Sequence, residues 1–230
     1  MAIGRLITQV PSSERTPAPR RARSGRLSRA LERLLLAVGL LTAGYYIYVN
    51  VETALYQQLE NRELDAILST DVERTPPGPP GEPGKARPPR KRPLQGTTIG
   101  RIEIPRLGVS VVIRAGDDAR TLQLAVGHIP GTALPGEAGN IGLAGHRDTF
   151  FRRLRNIRVG DEIQIVTIDG HYTFRVQDTR VVRPTDTWVL DPTPTKTLTL
   201  ITCYPFTYIG SAPDRFIVRA TARPISAQQS

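Results

Sequence analysis

The stretch TLTLITCYPF, residues 197–206, contains the only cysteine of the 230-residue chain. Its first six residues are threonine, leucine and isoleucine, a composition typical of a β-strand. The strand pattern ends near Cys203, because Tyr204-Pro205 follows and proline cannot continue a central strand. Cys203 therefore lies at the end of a predicted strand, where a side chain can be both firmly held and accessible.

Similar short strand patterns continue through the C-terminal half of the chain. Runs rich in valine, isoleucine and threonine alternate with turn residues, and Asp169-Gly170 is a typical hairpin turn. Strands are predicted at residues 98–104, 109–113, 140–144, 162–168, 172–177, 197–202 and 216–220, and short helices at 119–125 and 149–154. Seven or eight short strands with few helices predict a mainly β fold, most simply a closed antiparallel or mixed barrel.

An uncharged apolar run, LLLAVGLLTAGYYIYV at residues 34–49, precedes this region. Residues 20–33, just before the run, hold six arginines, and three tyrosines lie near its far end, which is the pattern of a membrane span whose basic flank stays in the cytoplasm. A cleavable signal peptide is one alternative, but no small-x-small cleavage site follows the run cleanly. A buried core helix is the other. The pattern favours an uncleaved single-pass anchor with the C-terminal bulk outside the cytoplasm.

The charge distribution supports this organisation. The net charge is +10, and residues 1–33 contribute +6 of it with eight arginines and two glutamates, so the basic excess points to a membrane flank rather than to nucleic acid. The predicted segments are a basic cytoplasmic segment (1–33), a transmembrane helix (34–51), an exposed membrane-proximal helix (52–73), a proline-rich linker (74–96) and a folded domain (97–225). One cysteine and three histidines predict no disulfide framework, no metal centre and no cofactor.

Cys203 has two interpretations, a nucleophile or a small buried hydrophobic residue. A nucleophilic thiol needs a partner that moves protons or stabilises charge. His146, in NIGLAGHRDTFF, lies where a predicted strand gives way to a short helix, which is a typical site position. His128 could line a cleft, and His171 follows a turn and is expected to be exposed. Arg215 begins a predicted strand 12 residues after Cys203, so a hairpin-like return would bring its guanidinium beside the thiol.

Taken together, these segments resemble the sortases. TLTLITC resembles the TLxTC signature of that family, LAGHRDTFF its histidine segment and APDRFIVRA its arginine-bearing strand. IEIPRLGV and the Gly160-Asp161 turn also fit. The resemblance covers about residues 97–223 in the order that the family has, and the CYPF ending and the overall shortness are most similar to class D sortases.

The resemblance implies an eight-stranded sortase-type β-barrel with short helices, preceded by the transmembrane helix. It also implies a cysteine transpeptidase that cleaves an LPxTG-like C-terminal sorting signal and transfers the protein to an amine of the cell wall or of a pilin. Carried over by position, Cys203 is the nucleophile, His146 the general acid and base, and Arg215 the stabiliser of the oxyanion. His128, Thr202 and Tyr204 are expected near the substrate cleft.

Two other classes of protein remain open at this point. An L,D-transpeptidase or another cell-wall cysteine peptidase would use the same thiol, but those families usually place the histidine shortly before the cysteine, and His146 is 57 residues upstream of Cys203. The other class is a non-catalytic wall-binding barrel. The presence of the cysteine, the histidine and the arginine in one chain disfavours it.

Overall fold

The structure is a computed structural model that describes residues 24–74, 92–208 and 210–222, with the side chains of the first helix described from 28 to 66. The predicted cytoplasmic segment up to residue 23 and most of the predicted linker, 75–91, lie outside the described residues. The chain divides into two compact units, Met1–Tyr48 and Val49–Ser230, and the division falls within the first helix.

Helix α1 spans Ser24–Arg74. Its segment Ser28–Ala66 contains a window with a mean hydropathy of 1.7, so the helix is long and apolar enough to cross a membrane. The side chains of Leu40 and Leu41 are about three-quarters exposed. The predicted transmembrane and membrane-proximal helices are therefore one continuous element, because no glycine or proline interrupts the chain between residues 45 and 74.

Residues 52–73 form a helix as predicted, but among residues 52–66, whose side chains are described, one side is not exposed and packs against the folded domain. Gln57 donates from Nε2 to the Leu124 carbonyl (2.6 Å) and accepts from the backbone N–H of Val112 (3.0 Å). Leu64 is buried, and Glu60 accepts a hydrogen bond from the Thr98 hydroxyl (2.6 Å). Polar side chains form much of this contact, so the apolar periodicity of the sequence did not reveal it.

The folded domain is a closed barrel, as predicted. Among the described residues its eight strands are β1 (Thr98–Ile104), β2 (Val109–Ala115), β3 (Val126–His128), β4 (Asn140–Ala144), β5 (Glu162–Thr167), β6 (Gly170–Val182), β7 (Thr197–Tyr204) and β8 (Asp214–Ala222). Around the barrel they follow the order β1-β2-β3-β4-β7-β8-β6-β5, in which β2/β3 and β4/β7 are parallel pairs and the other pairs are antiparallel.

Alternate residues of the strands fill the barrel. Leu198 and Leu200 of β7 are fully buried with Ile102 and Ile104 of β1 in one apolar cluster. Burial of one such side chain contributes about 1.5–3 kcal/mol to folding. The segment after β4 adds Phe151, also fully buried, to the same cluster. Because the barrel packs on this segment, the chain that carries His146 is fastened to the core.

The smaller elements differ from the predictions in extent. Strand β3 was not predicted, because three residues between an alanine and a proline-glycine loop carry no alternation. Strand β6 extends well beyond the predicted residues 172–177. The helix predicted at 119–125 is α2 (Ala119–Leu124), capped by the Asp118 side chain. The helix predicted at 149–154 is a short 3-10 helix at Arg152–Asn156.

Candidate active site

Three neighbouring strands bring the predicted site residues to one level of the barrel wall. Cys203 of β7 lies directly opposite Arg215 of β8. Strand β4 runs parallel to β7 on the other side with Ala144 beside Ile201, so two further residues bring His146 level with Cys203. Opposed residues have Cβ atoms about 5 Å apart, and adjacent strands are separated by about 4.8 Å. The thiol therefore lies between the arginine and the histidine.

Hydrogen bonds to β7 fasten the backbone that precedes His146. The Gly145 N–H donates to the Ile201 carbonyl (3.1 Å), and the Thr202 hydroxyl donates to the Gly145 carbonyl (2.7 Å). Glycine is required at this corner, since a Cβ on residue 145 would lie 2.7 Å from Cδ2 of the buried Phe151 ring. The position of the imidazole is thus set by contacts on both sides of its own residue.

The three side chains are accessible and separate in this structure. His146 is exposed, and Cys203, a free thiol, is partly exposed, as is Arg215. Nη1 of Arg215 donates to the carbonyls of Asp214 (3.0 Å) and Ala212 (3.3 Å). Within the described residues, its Nε and Nη2 make no hydrogen bond, and none joins the three side chains to each other. The guanidinium is held at one end and has donors left for a ligand.

The loop between β6 and β7 covers the outer face of these strands on one side of Cys203. Its 3-10 helix, Thr187–Leu190, is fastened by two donors, Nδ2 of Asn140 and Nη2 of Arg219, which both bind the Val189 carbonyl (2.9 and 3.0 Å). Ile201 is partly exposed and lies on the same strand face as Cys203. Two side chains on this face of β7, Ile201 and Cys203, are therefore both partly exposed.

Comparisons with known proteins identify the family of this chain. A family model described as "Sortase: Sortase domain" matches residues 102–223, more than half of the chain. This chain belongs to the sortase family. It is 32% identical over 195 residues to Sortase D of Bacillus subtilis strain 168, covering 84% of this chain and 97% of that protein. It is 29% identical over 197 residues to Sortase SrtE1 of Streptomyces coelicolor, covering 77% of this chain and 53% of that protein.

Solved sortases share the fold. A structure from a study of a Clostridium perfringens Sortase D5 transpeptidase is 36% identical with a TM-score of 0.52, covering 56% of this chain and 81% of that one. Sortase C-1 from Actinomyces oris is 34% identical with a TM-score of 0.51, covering 55% and 73%. The sortase fold and the resemblance to class D are confirmed. The chain is a transpeptidase of this family.

Arg147 is the site residue of this sortase that the sequence analysis did not single out. It follows His146, is 7% exposed, and donates from Nη1 to the Pro205 carbonyl (2.8 Å) and from Nη2 to the carbonyls of Tyr208 and Gly210. It therefore ties the histidine segment to the loop that follows Cys203. Arginine next to the histidine in GHR was the available signal, but a sequence does not distinguish a buried arginine from an exposed one.

Aromatic side chains line the same loop. The ring of Tyr204 stacks on Phe216 with centroids 6.2 Å apart, and Phe206 meets both rings edge to face, at 6.0 and 5.3 Å. All three rings are half-buried. Tyr204 thus lies next to Cys203 as predicted, within an apolar cluster, and its expected contact with substrate stays a prediction.

The remaining residues that the sequence analysis named are Thr202, His171 and His128, and each lies in a different environment. Thr202 is buried and its hydroxyl is bonded to the Gly145 carbonyl, so it supports the histidine corner from inside the wall. His171 is exposed, as expected. His128 is 4% exposed, and its Nε2 is bonded to the Ala133 carbonyl (2.9 Å) and the Thr132 hydroxyl (3.2 Å).

His128 is also remote from the thiol. It pairs with Leu143, which pairs with Leu200, so it lies two strands and three residue levels from Cys203, on the order of 14 Å. It borders a cavity of about 450 Å³ that none of Cys203, His146 and Arg215 lines. Its predicted role in substrate binding has no support from its position. Among the described residues, no group of three or more His, Cys, Asp or Glu side chains is placed to hold a metal ion.

Proposed function

We propose that this sortase is a membrane-anchored cysteine transpeptidase in which Cys203 attacks an LPxTG-like C-terminal sorting signal. The observation that supports the proposal is the pairing of Cys203 with Arg215 across β7 and β8, with His146 just after the end of β4, the strand on the other side of β7. A nucleophile flanked by a proton carrier and a fixed positive charge suits acyl transfer to a thiol.

In the first half of the reaction, the Cys203 thiolate attacks the threonine carbonyl of the signal. The free donors of Arg215 stabilise the oxyanion, an interaction for which one lost donor typically costs about 2.7–4 kcal/mol. Protonated His146 then gives its proton to the leaving amine. Because His146 is exposed on the side of Cys203 away from Arg215, the two groups serve opposite sides of the reacting carbonyl.

In the second half, an amine on a cell-wall precursor or a pilin attacks the thioacyl enzyme. Neutral His146 takes the proton of that amine, and Cys203 leaves as the thiolate. Ile201 and Cys203 are both partly exposed on one face of β7, so an extended sorting signal would reach the thiol along this strand. The aromatic cluster of Tyr204, Phe206 and Phe216 provides an apolar surface beside it.

The test uses the full chain in an uncharged detergent with an LPxTG-type peptide and either oligoglycine or diaminopimelate as the amine. We expect a mass increase at Cys203, formation of the transfer product, and loss of both in Cys203→Ala. Cys203 is the chain's only thiol, so the modified site is unambiguous. If a broad panel of peptides leaves Cys203 unmodified in the folded protein, the proposal fails and the non-catalytic barrel is favoured.

The role of Arg215 has a matched control in Arg175, an exposed arginine of β6. We expect Arg215→Ala to lower kcat/KM by about 10²–10³-fold with little change in the melting temperature, because an oxyanion donor acts mainly in the transition state. Arg175→Ala should retain the wild-type rate. A wild-type rate in Arg215→Ala would remove this residue from the mechanism.

The proposed orientation places residues 1–33 in the cytoplasm, a single span at 34–51 and the catalytic domain outside. Six arginines in residues 20–33, just before the span, and none within it support this orientation. Reporter enzymes fused after Ser230 test it. A reporter that works only outside the cytoplasm should be active. Activity of a reporter that works only in the cytoplasm would contradict the proposed orientation.

A further inference from the structure

A second charged site lies at the barrel end that carries Cys203. Counted through the parallel and antiparallel pairs of the barrel, strand β1 points in the same direction as β7. The 3-10 helix Pro105–Leu107 follows β1 and therefore lies at the same end of the barrel as Cys203. It meets the 3-10 helix Arg152–Asn156, which follows the histidine segment. Between them is a cavity of about 660 Å³, here called the arginine cleft, lined by Arg106, Leu107, Arg153, Arg155, Asn156, Ile157 and Arg158.

The charges of the arginine cleft are not balanced by its neighbours. Four arginines line it, from two segments that are more than 40 residues apart. Within the described contacts of these arginines, the only carboxylate is Asp161, and both of its oxygens accept from Arg106. Arg106 also lowers the pKa of Asp161, chiefly through these hydrogen bonds. The backbone N–H of Arg158 also donates to Asp161, and its positive charge acts on the same carboxylate. One carboxylate thus faces four arginines, and this excess of positive charge favours an anion.

Part of the arginine cleft is held in place. Nη1 of Arg153 donates to the carbonyls of Leu107 (2.8 Å) and Gly108 (3.0 Å). Gly108 has a φ of 59°, and a Cβ there would lie 2.6 Å from Nη1 of Arg153. A glycine in this turn therefore lets the guanidinium reach the two carbonyls. Arg153 and Arg106 are positioned before any ligand arrives, which reduces the entropy that binding must overcome.

We propose that the arginine cleft binds a multivalent phosphate group, such as a diphosphate. Guanidinium forks match phosphate oxygens in pairs, and a volume of about 660 Å³ holds more than one phosphate. The cleft is a site separate from Cys203, His146 and Arg215, none of which lines it. Binding does not require the thiol, so the inference stands apart from the proposed transpeptidation.

The probe is inorganic pyrophosphate, titrated calorimetrically into the full chain in an uncharged detergent at low salt. We expect saturation at one site, and the same affinity in Cys203→Ala. Arg155→Ala combined with Arg158→Ala should weaken binding at least tenfold. These two side chains are exposed and make no described hydrogen bond, so the fold should be kept, as a melting temperature would verify.

The matched control removes two exposed arginines elsewhere, Arg175→Ala with Arg183→Ala, and thus the same net charge. It should change the affinity less than twofold. An equal loss in both double variants would mean nonspecific attraction and would overturn the proposal, as would the absence of saturation. Sulfate that binds as tightly as pyrophosphate would also overturn the preference for multivalent phosphate.

The same diphosphate chemistry occurs in free pyrophosphate and in lipid headgroups. A second experiment distinguishes the two. A prenyl diphosphate in mixed micelles is compared with pyrophosphate on the same variants. Tighter binding of the lipid, lost in the Arg155/Arg158 double variant, indicates a lipid-borne ligand. Equal affinity indicates that the diphosphate alone is recognised. If neither compound binds, the arginine cleft is not a phosphate site.

Discussion

His128 and His146 lie at or just after the ends of two adjacent strands of the barrel wall and have opposite surroundings. His128 closes β3 and His146 follows β4, and the two strands are antiparallel, so the chain approaches the level of Cys203 only along β4. His128 is buried with its ring nitrogen bonded to Ala133, whereas His146 is exposed and its described bonds are made by its backbone. Strand direction and burial, rather than residue type, separate a structural histidine from a candidate catalytic one.

The largest expected effect that tests this comparison is on turnover. His146→Ala should reduce kcat by about 10³-fold, within the range typical of a lost general acid and base, and should leave the melting temperature nearly unchanged because the ring is exposed. Steady-state transfer of an LPxTG-type peptide measures it, with exposed His171→Ala as the control. If His171→Ala loses as much activity, the assignment of His146 is wrong.

Arg147 is a second difference between the two histidines. It ties the His146 segment to the loop after Cys203, and in the described contacts no buried arginine does the same for the His128 segment. Arg147→Ala should remove three hydrogen bonds to the loop after Cys203 and lower kcat/KM by about 10–100-fold, since small displacements of positioned groups are costly. Reaction of Cys203 with a small thiol reagent should change much less. Arg147→Lys should restore part of kcat/KM, and full loss of both reactivities in a folded variant would contradict a positioning role.

The next largest expected effect is on the stability of the fold, through His128. His128→Leu should lower the free energy of unfolding by about 1–3 kcal/mol, because the Ala133 carbonyl and the Thr132 hydroxyl would lose a buried partner. Its kcat/KM should stay within about threefold of wild type, since it lies on the order of 14 Å from the thiol. Thermal unfolding and the transfer assay measure the two quantities. A large loss of kcat/KM at unchanged stability would restore His128 to the substrate cleft.

The smallest expected effect is a pH dependence. Burial lowers the pKa of His128 below its ordinary value of 6.5, and Arg92 nearby acts in the same direction. The unfolded chain then takes up a proton at a pH where the folded chain does not, so the stabilisation is complete above about pH 6.5 and declines as the pH falls below it. The free energy of unfolding should fall less between pH 7 and 5 in His128→Leu than in wild type. If the free energy of unfolding falls equally with pH in wild type and His128→Leu, His128 is not the origin of the pH dependence.

Much of the barrel was predictable, because its strands carry local signals. β1 and β4 begin and end at the predicted residues, since β1 alternates apolar and polar side chains and β4 is a short, mostly apolar run between glycine-containing segments. Strand β3 was missed because its pairing partners, not its own three residues, make it a strand. The packing of α1 on the barrel was missed for a related reason, since Gln57 and Glu60 bind groups that are distant in the sequence.

The residues of the candidate site were predictable from the sequence, but their spatial arrangement was not. The resemblance supplied Cys203, His146 and Arg215, and the register brings them to one level, although no spacing in the sequence requires it. Arg147 and the arginine cleft were not predicted, because their significance depends on burial and on convergence of separate segments. The role of each predicted residue remains to be tested by the experiments above.

By itself, the sequence determined the membrane-span pattern, the β-rich domain and the family, because apolar runs, alternation and short motifs are properties of neighbouring residues. Only the tertiary structure decided which histidine stands beside the thiol, which arginine is buried and which surface charges gather in one cleft. Those outcomes depend on strand order and register around a closed barrel, and such contacts between distant segments are set by the packing of the whole domain.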